Sequence, residues 1–426
     1  MRVIKEAEVS SFVALLRKRA STSVKEDDVQ KTVRKIILDV QKTGDRAVRK
    51  YTKKFDSVDL EDLAVCKREI ALSAETVDGR FLAAMKKAAA RIKKFHELQK
   101  EKSWQFSKEG ITLGQVIRPL NRVGVYVPGG KAFYPSTVLM NVIPAQVAGV
   151  KEIALCVPTP SGTINPHVAA AIQLLAVDEV YRIGGAQAIA AFAFGTETID
   201  RVDKIVGPGN IFVAAAKKMV FGNVGIDMVA GPSEILVIAD SSGDPSFIAS
   251  DLLSQAEHDE MASSVLITDS VVLAGNVKLE LKRQIGNLKR KEIAGKSLRK
   301  YGAIIVVKNI KNAARISDSI APEHLEIMTR KPADYARNIH NAGAIFLGKW
   351  TPEPLGDYAA GPNHTLPTGG TARFSSPLGV YDFIKRTSLL HASKKGFLQL
   401  SETVESFADT EGLEAHGKTV SVRKHS

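Results

Sequence analysis

Cysteine is almost absent from this chain: Cys66 and Cys156 are the only two thiols in 426 residues. They stand far apart in sequence, so neither a CxxC redox pair nor a cysteine-built zinc cage can form, and a disulfide framework is excluded in practice. That usage fits a reducing compartment. Long apolar runs are missing as well. The longest, such as Ile183 to Gly195, are broken by Gly and Gln and fall short of the roughly 20 residues a membrane helix requires. The N-terminus, MRVIKEAEVSSF, carries charges where a secretory signal needs an apolar run, and it lacks the Arg and Ser richness of a transit peptide. A cytoplasmic protein is the simplest expectation. Also absent is the dinucleotide fingerprint. Gly207-Pro208-Gly209-Asn210-Ile211-Phe212 offers the first two glycines of G-x-G-x-x-G but phenylalanine where the third belongs.

What is present is apolar content of 44%, enough in a chain of this length to fill two or more cores. The formal charge is +13, and Leu281 to Lys300 is the most basic stretch. No aromatics interleave it, so a solvated helical face or an attraction for anionic substrates explains it more simply than nucleic acid does. Nucleic-acid binding is kept as the alternative from another functional class.

Up to about Ser103 the pattern is helical, with charged amphipathic segments such as Phe81 to Lys100. From Arg122 short strand candidates, RVGVYVPGG, KEIALCVP, EVYRIGG and DKIVGPG, are each followed by a helical stretch. A second alternation places strands at SSVLITD, GAIIVVK, HLEIMT and GAIFLG, with helices such as NAARISDSIA and ADYARNIHNA between them. Repeated β-α units predict parallel sheets, hence an α/β fold with two Rossmann-like domains, a helical N-terminal region and a small C-terminal arm. The expected divisions are 1–22 for a helical arm, 23–125 with 235–377 for the larger Rossmann-like domain, 126–234 for the second, and 378–426 for the C-terminal arm.

Four clusters carry chemistry. The loop LGDYAAGPNHTLPTGG holds Asp357, Asn363 and His364; SQAEHD, APEHLE and EGLEAH add Gln255, His258, Glu323, His324, Glu411 and His416. Asp244 as N-cap and Pro245 in the first turn start the helix that places Gln255 and His258 three apart on one face. Gln255, His258, Asp357 and His416 make an O/N ligand set for a divalent metal such as zinc, although each histidine taken singly is more often an ordinary satisfied side chain. Glu323 and His324 follow Pro322 at a helix-to-strand junction, where an acid and a base could divide proton transfers; a histidine of unperturbed pKa about 6.5 suits the base. The competing reading has one of the pair facing solvent and the other capping an element. The glycine-rich turns VPGGKAFYPS, IGGAQAIAAF, VGPGNIF and AGPSEI fall between strands and helices, where nucleotides bind in open α/β sheets. Tight turns with no ligand fit them equally well.

In this order and spacing, YVPGG, GGAQAIAAFAFGT, VGPGN, AGPSEI, QAEHD, APEHLEI, DYAAGPNHTLPTGGTARFSSPLGV and EGLEAHG resemble the histidinol dehydrogenase family over most of the chain. The resemblance implies NAD-dependent, four-electron oxidation of L-histidinol to L-histidine through bound L-histidinal, the last steps of histidine biosynthesis. It implies one zinc per subunit on Gln255, His258, Asp357 and His416, with His324 as general base and Glu323 activating water. Ser233, His364 and Glu411 would join these residues around the substrate, and Tyr126, Gln187 and Asn210 would line the NAD site. It further implies an intertwined homodimer whose C-terminal arm crosses over, so that Glu411 and His416 serve the partner's site, with no membrane or nucleic-acid partner. A zinc-dependent, single-step dehydrogenase of another polar alcohol, for example a sulfonated diol, is the nearest alternative.

Overall fold

The computed structural model describes residues 1–21, 26–129 and 133–424. Gly130, Lys131 and Ala132 of the first glycine-rich turn, the boundary expected at residue 22, and the last two residues of the tail lie outside the described residues. The chain starts with strand β1 (Arg2–Lys5) and helix α1 (Val9–Ser21). Three helices follow: α2 (Glu26–Asp56), bent at Thr43 and Gly44, then α3 (Lys67–Ala74) and α4 (Gly79–Glu97). A hairpin of β2 (Trp104–Lys108) and β3 (Ile111–Pro119) leads into β4 (Arg122–Tyr126), α5 (Pro135–Ala148), β5 (Glu152–Cys156), α6 (Pro166–Leu174), β6 (Glu179–Tyr181), α7 (Gly185–Phe194), β7 (Lys204–Val206), α8 (Ile211–Val220) and β8 (Gly225–Ile226).

A second alternation runs through β9 (Glu234–Ala239), α9 (Pro245–Ala256), β10 (Ser263–Thr268), α10 (Val271–Ile285), α11 (Lys291–Lys300), β11 (Ala303–Val306), α12 (Asn312–Ile320), β12 (His324–Met328), α13 (Pro332–Ala336) and β13 (Ala344–Leu347). The one-turn helix α14 (Glu353–Leu355) passes directly into a π-helical turn over Gly356–Ala360. Strand β14 (Ile384–Ala392) and the helices α15 (Lys394–Thr410) and α16 (Glu414–Lys424) complete the chain.

The strands form two wholly parallel sheets, as the β-α alternation predicts, in the orders β6-β5-β4-β7-β8 and β1-β11-β10-β9-β12-β13. A third, antiparallel sheet, β14-β3-β2, stands apart from them. Both strands at the centre of the larger sheet, β10 and β9, are buried along their whole length, as is β12 beside them, which is the signature of strands covered on two faces. No helix among the described residues is long and apolar enough to cross a membrane.

Three features differ from the sequence reading. Arg2–Lys5 is a strand, not part of a helical arm: it pairs in parallel with β11, and four residues are too few for a periodicity to show. The helix expected over ADYARNIHNA stops at Ala336, because the Asp318 carboxylate draws the His340 and Asn341 amides, each at 2.9 Å, into a turn. The cores also group the chain otherwise than the expected divisions. Val33, Ile36 and Val48 of α2 pack with Ile189 and Phe192 of α7, and Met85 and Ile92 of α4 with Val138 and Leu139 of α5. Residues 26–97 therefore cover the β4–β8 sheet, whereas Phe12, Val13 and Leu16 of α1 join the core of the larger sheet. Amphipathic helices carry no label saying which sheet their apolar stripe will meet.

Candidate active site

The segment that enters β12 creates the centre of the site. Helix α12 ends at Ala321, held in the left-handed region at φ +53, and Pro322 then delivers Glu323 and His324 to the first rung of the strand. Both are buried, at 7% and 3% exposure. The neighbouring strand β9 begins at the same level, and the main chain of its first residue, Glu234, meets the pair twice. The Glu234 amide donates to Glu323 Oε2 at 2.9 Å, and the Glu234 carbonyl lies 3.0 Å from His324 Nδ1. A carbonyl only accepts, so Nδ1 carries a proton and Nε2 is the ring nitrogen turned toward the neighbouring carboxylates. Ser233, half-buried, directly precedes this rung, and its carbonyl accepts from the Ser263 amide.

Nε2 of His324 faces two more carboxylates, Asp357 Oδ1 at 3.5 Å and Glu353 Oε1 at 3.8 Å. Among the described residues these three side chains form the group of His, Cys, Asp and Glu close enough to share a metal ion. The passage from α14 into a π-helical turn aims Glu353 and Asp357, four apart in sequence, at the same point; such turns concentrate at functional sites. The charges adjust to one another. Burial pushes Glu323 up to about 7, against the pull of His324. Glu353 rises to about 8 through burial and the neighbouring Asp357 charge. Burial also works against ionised Asp357, but the hydrogen bond and charge of His324, with His364 behind it, hold it below the usual carboxylate range. His324 is desolvated, yet Glu323, Asp357 and Glu353 outweigh that and raise it to about 10.

Helix α9, capped by Asp244 as the sequence predicts, brings Gln255 to the same region. Its side chain is buried, and Oε1 has no hydrogen-bond partner. His258 follows in the turn that ends the helix. It keeps an exposed edge, but the surrounding protein desolvates it enough to lower its pKa, and it feels the charges of Asp357 and His324. The loop after Gly361 closes the other side. His364 Nδ1 lies 3.1 Å from the Asp357 carbonyl, its Nε2 lies 3.5 Å from Thr137 Oγ1, and Asn363 Nδ2 donates to the Met140 carbonyl at 2.6 Å. Desolvation lowers the His364 pKa. Glu411 and His416 are not brought here by their own chain. Both are exposed on the C-terminal arm, where α15 packs on α16 and on β14.

Sequence reasoning overlooked Glu353 and Glu234. The i, i+4 spacing of Glu353 and Asp357 was a usable signal once Pro352 is read as the start of a helical turn. For Glu234 the working groups are main-chain atoms, which no motif records. In the basic stretch Leu281–Lys300, Arg283 pairs with Glu280, Lys296 with Glu260, and Arg290 donates to the His258 carbonyl, so these cations are spent within the protein.

The nucleotide candidates gather at the other sheet. Strand order reverses between β4 and β7, and open α/β sheets take ligands at that crevice, beyond the strand ends. Tyr126 ends β4, and its hydroxyl accepts from the Gly185 amide at 3.1 Å. Gln187 lies in the first turn of α7, buried at 1% exposure with Oε1 unpartnered. Asn210 caps α8, accepting from the Phe212 and Val213 amides at 3.0 and 3.2 Å. Gly207 has φ +112, and a Cβ there would lie 2.1 Å from the Tyr126 carbonyl oxygen.

A family model described as histidinol dehydrogenase matches residues 18–424. The histidinol dehydrogenase of Clostridium acetobutylicum is 54% identical over 398 residues, covering 93% of this chain and 92% of its own length. That of Geobacter sulfurreducens is 53% identical over 418 residues, with 97% of each covered. The crystal structure of histidinol dehydrogenase from Elizabethkingia anophelis superimposes with a TM-score of 0.94 at 39% identity, over 99% of this chain and 98% of that one.

The two glycines Gly207 and Gly222 separate steric approach from backbone strain. Gly222 also has positive φ, +102, but a Cβ there meets nothing within 4 Å. Gly222→Ala is expected to cost about 1–3 kcal/mol in urea denaturation, from the strained φ alone. Gly207→Ala is expected to cost clearly more, because the added Cβ also meets the Tyr126 carbonyl oxygen. Equal losses for the two variants would rule out the contact with Tyr126 as the reason for glycine.

Proposed function

The chain belongs to the histidinol dehydrogenase family, an oxidoreductase family whose reaction is histidinol oxidation in histidine biosynthesis, and from that premise we propose a four-electron, NAD-dependent route through L-histidinal kept on the protein. One zinc per subunit and active sites shared across a homodimer complete the proposal. The observation that carries it is the fixed imidazole of His324, with Nδ1 tied to the Glu234 carbonyl and Nε2 turned toward Asp357, beside the buried Glu323 carboxyl.

The donors fit a divalent ion in their protonation states. His258 is kept neutral by desolvation, Asp357 is kept ionised, and the Gln255 Oε1 atom is buried without a partner. His416 of the partner's arm supplies the fourth donor in this reading. The arm's exposed Leu398, Leu400, Val404, Phe407 and Leu413 support it, since an apolar face of this kind marks an interface. When bound, zinc holds the substrate's imidazole and amine, and NAD supplies the hydride acceptor for each oxidation. An ion on Asp357 would offset part of the negative charge, led by Glu323, that raises His324.

His324 Nε2 takes the hydroxyl proton as the carbinol C–H leaves as hydride, which yields the aldehyde. Glu323 then takes a proton from water as the water oxygen adds to the carbonyl carbon. His324, having released its first proton to solvent, accepts the hydroxyl proton of that hydrate anion as the second hydride departs, and the product is the carboxylate. No thiolate takes part, in keeping with Cys156 buried and its thiol pushed up by burial. Ser233, His364 and Glu411 complete the substrate contacts, and Tyr126, Gln187 and Asn210 those to the nucleotide.

Purified protein is expected to form about two NADH per L-histidinol, and chelation to abolish turnover. One NADH with aldehyde released to solution would instead favour a single-step dehydrogenase of polar alcohols. His324→Ala should slow both oxidations, whereas Glu323→Gln should chiefly impair oxidation of added histidinal. Because Glu323 acts as a base only when ionised, the aldehyde step should gain rate as pH rises through about 7, and that limb should vanish in Glu323→Gln. A limb that persists in the variant would assign it to another group. Sharing of sites is read by mixing subunits. His324→Ala and His416→Ala chains, each inactive alone, should after co-refolding recover about a quarter of wild-type activity from mixed dimers with one intact site. Absence of recovery, with mixed dimers confirmed by mass, would place each site within one chain.

A further inference from the structure

We propose that Arg19, carried on helix α1, positions the catalytic pair by anchoring Glu234. The proposal rests on the reading of Glu323 and His324 as the acid–base pair. The Arg19 side chain is wholly buried, with 0% exposure, and Glu234 is nearly so at 5%. A guanidinium nitrogen pairs with Glu234 Oε1, the other donates to the Met261 carbonyl at 2.5 Å, and the group lies 5.4 Å from the centre of the Tyr301 ring. Glu234, Met261 and Tyr301 stand at or just before the starts of β9, β10 and β11. One planar cation thus ties a helix from the N-terminal end of the chain to three adjacent strand entries on the edge that holds the site.

The consequence passes through Glu234. Its side chain is fixed by Arg19, while its amide holds Glu323 Oε2 and its carbonyl holds His324 Nδ1. The anchored carboxylate limits rotation of that residue's Cα, and both catalytic side chains take their orientation from the two peptide groups on either side of it. A fork-shaped, permanently charged donor suits this task, because it can bond Glu234 and the Met261 carbonyl at once, which an ammonium group does less well. Arg19 touches neither substrate nor nucleotide in this reading and is a positioning residue.

The test uses the full-length, metal-loaded enzyme in three forms: Arg19→Lys, Arg19→Met and the doubly neutral Arg19→Met/Glu234→Gln. The double variant removes the ion pair without leaving a buried charge unpaired, so it keeps the test decisive should the single change destabilise the fold. Arg19→Met and the double variant are expected to lose about tenfold or more in kcat for both oxidations, since small misplacements of reacting groups carry losses of that size. Arg19→Lys should fall between them and wild type, and KM for NAD should stay within about twofold throughout. In histidine-selective 15N spectra the His324 Nδ1–H resonance, assigned with His324→Ala, should shift or broaden with kcat. A double variant with wild-type kcat and an unmoved His324 signal would overturn the proposal and leave the pair a stabilising contact only. Full turnover in His324→Ala would instead overturn the reading of the pair itself, which separates the two failures.

Discussion

Three carboxyl groups, Glu323, Glu353 and Asp357, surround one buried imidazole, and the difficulty of holding that much charge out of water governs the site. A buried ion costs several kcal/mol unless it is paired and hydrogen-bonded. His324 can offset only part of the charge around it. The cluster therefore sorts itself: Glu353 moves to about 8, Glu323 to about 7, and Asp357 stays ionised. Environments that push neighbouring pKa values apart are what let similar side chains take different roles. Asp357 is left as a permanent anion suited to a cation, Glu323 titrates where a base is useful, and Glu353, neutral at pH 7, shares a hydrogen bond with Asp357. The same crowding favours a divalent ion, which adds the positive charge that one imidazole cannot.

This chemistry sits on an unusual edge. Open α/β sheets place ligands beyond the C-terminal ends of their strands, yet Glu234 and His324 are the first residues of β9 and β12. The loop holding Asn363 and His364 supplies the reason. It bonds Thr137 and Met140 of α5, the helix that leaves the C-terminal edge of the β4–β8 sheet, and Thr368 accepts from the Gly231 amide just before β9. The N-terminal edge of one sheet is thereby tied to the C-terminal edge of the other. The smaller sheet's C-terminal edge is thus brought to the side on which Glu323 and His324 stand.

Much of this was legible because local physics wrote it. The β-α alternation, the Asp244 cap and the Pro322 junction are decided by residues a few positions apart, and each appears where the sequence places it. Strand β1 was too short to carry a period, and the partner sheet of α2 and α4 is a tertiary choice. Arg19 and Glu234 stayed invisible for a related reason. A charged residue in an amphipathic helix ordinarily reads as solvent-facing, and only the assembled core shows that this one is buried against a carboxylate. Glu411 and His416 were named from motif and resemblance alone, and within one chain both stay exposed on the arm that packs on β14.

The missing dinucleotide fingerprint has a structural counterpart. Its glycines normally let a diphosphate reach unsatisfied amides at a helix N-terminus. At three of the helix starts on this sheet some of those amides are already taken. Asn165 caps α6, Asn210 caps α8, and the first amide of α7 donates to the Tyr126 hydroxyl. With Phe212 capped by Asn210, a glycine at that position would open an approach to a donor that is no longer free. The two glycines that remain answer to the protein instead: a Cβ on Gly207 would strike the Tyr126 carbonyl, and one on Gly209 the Val213 side chain. A nucleotide proposed for this crevice would meet side chains as well as main chain, among them the Tyr126 hydroxyl, Gln187 and Asn210.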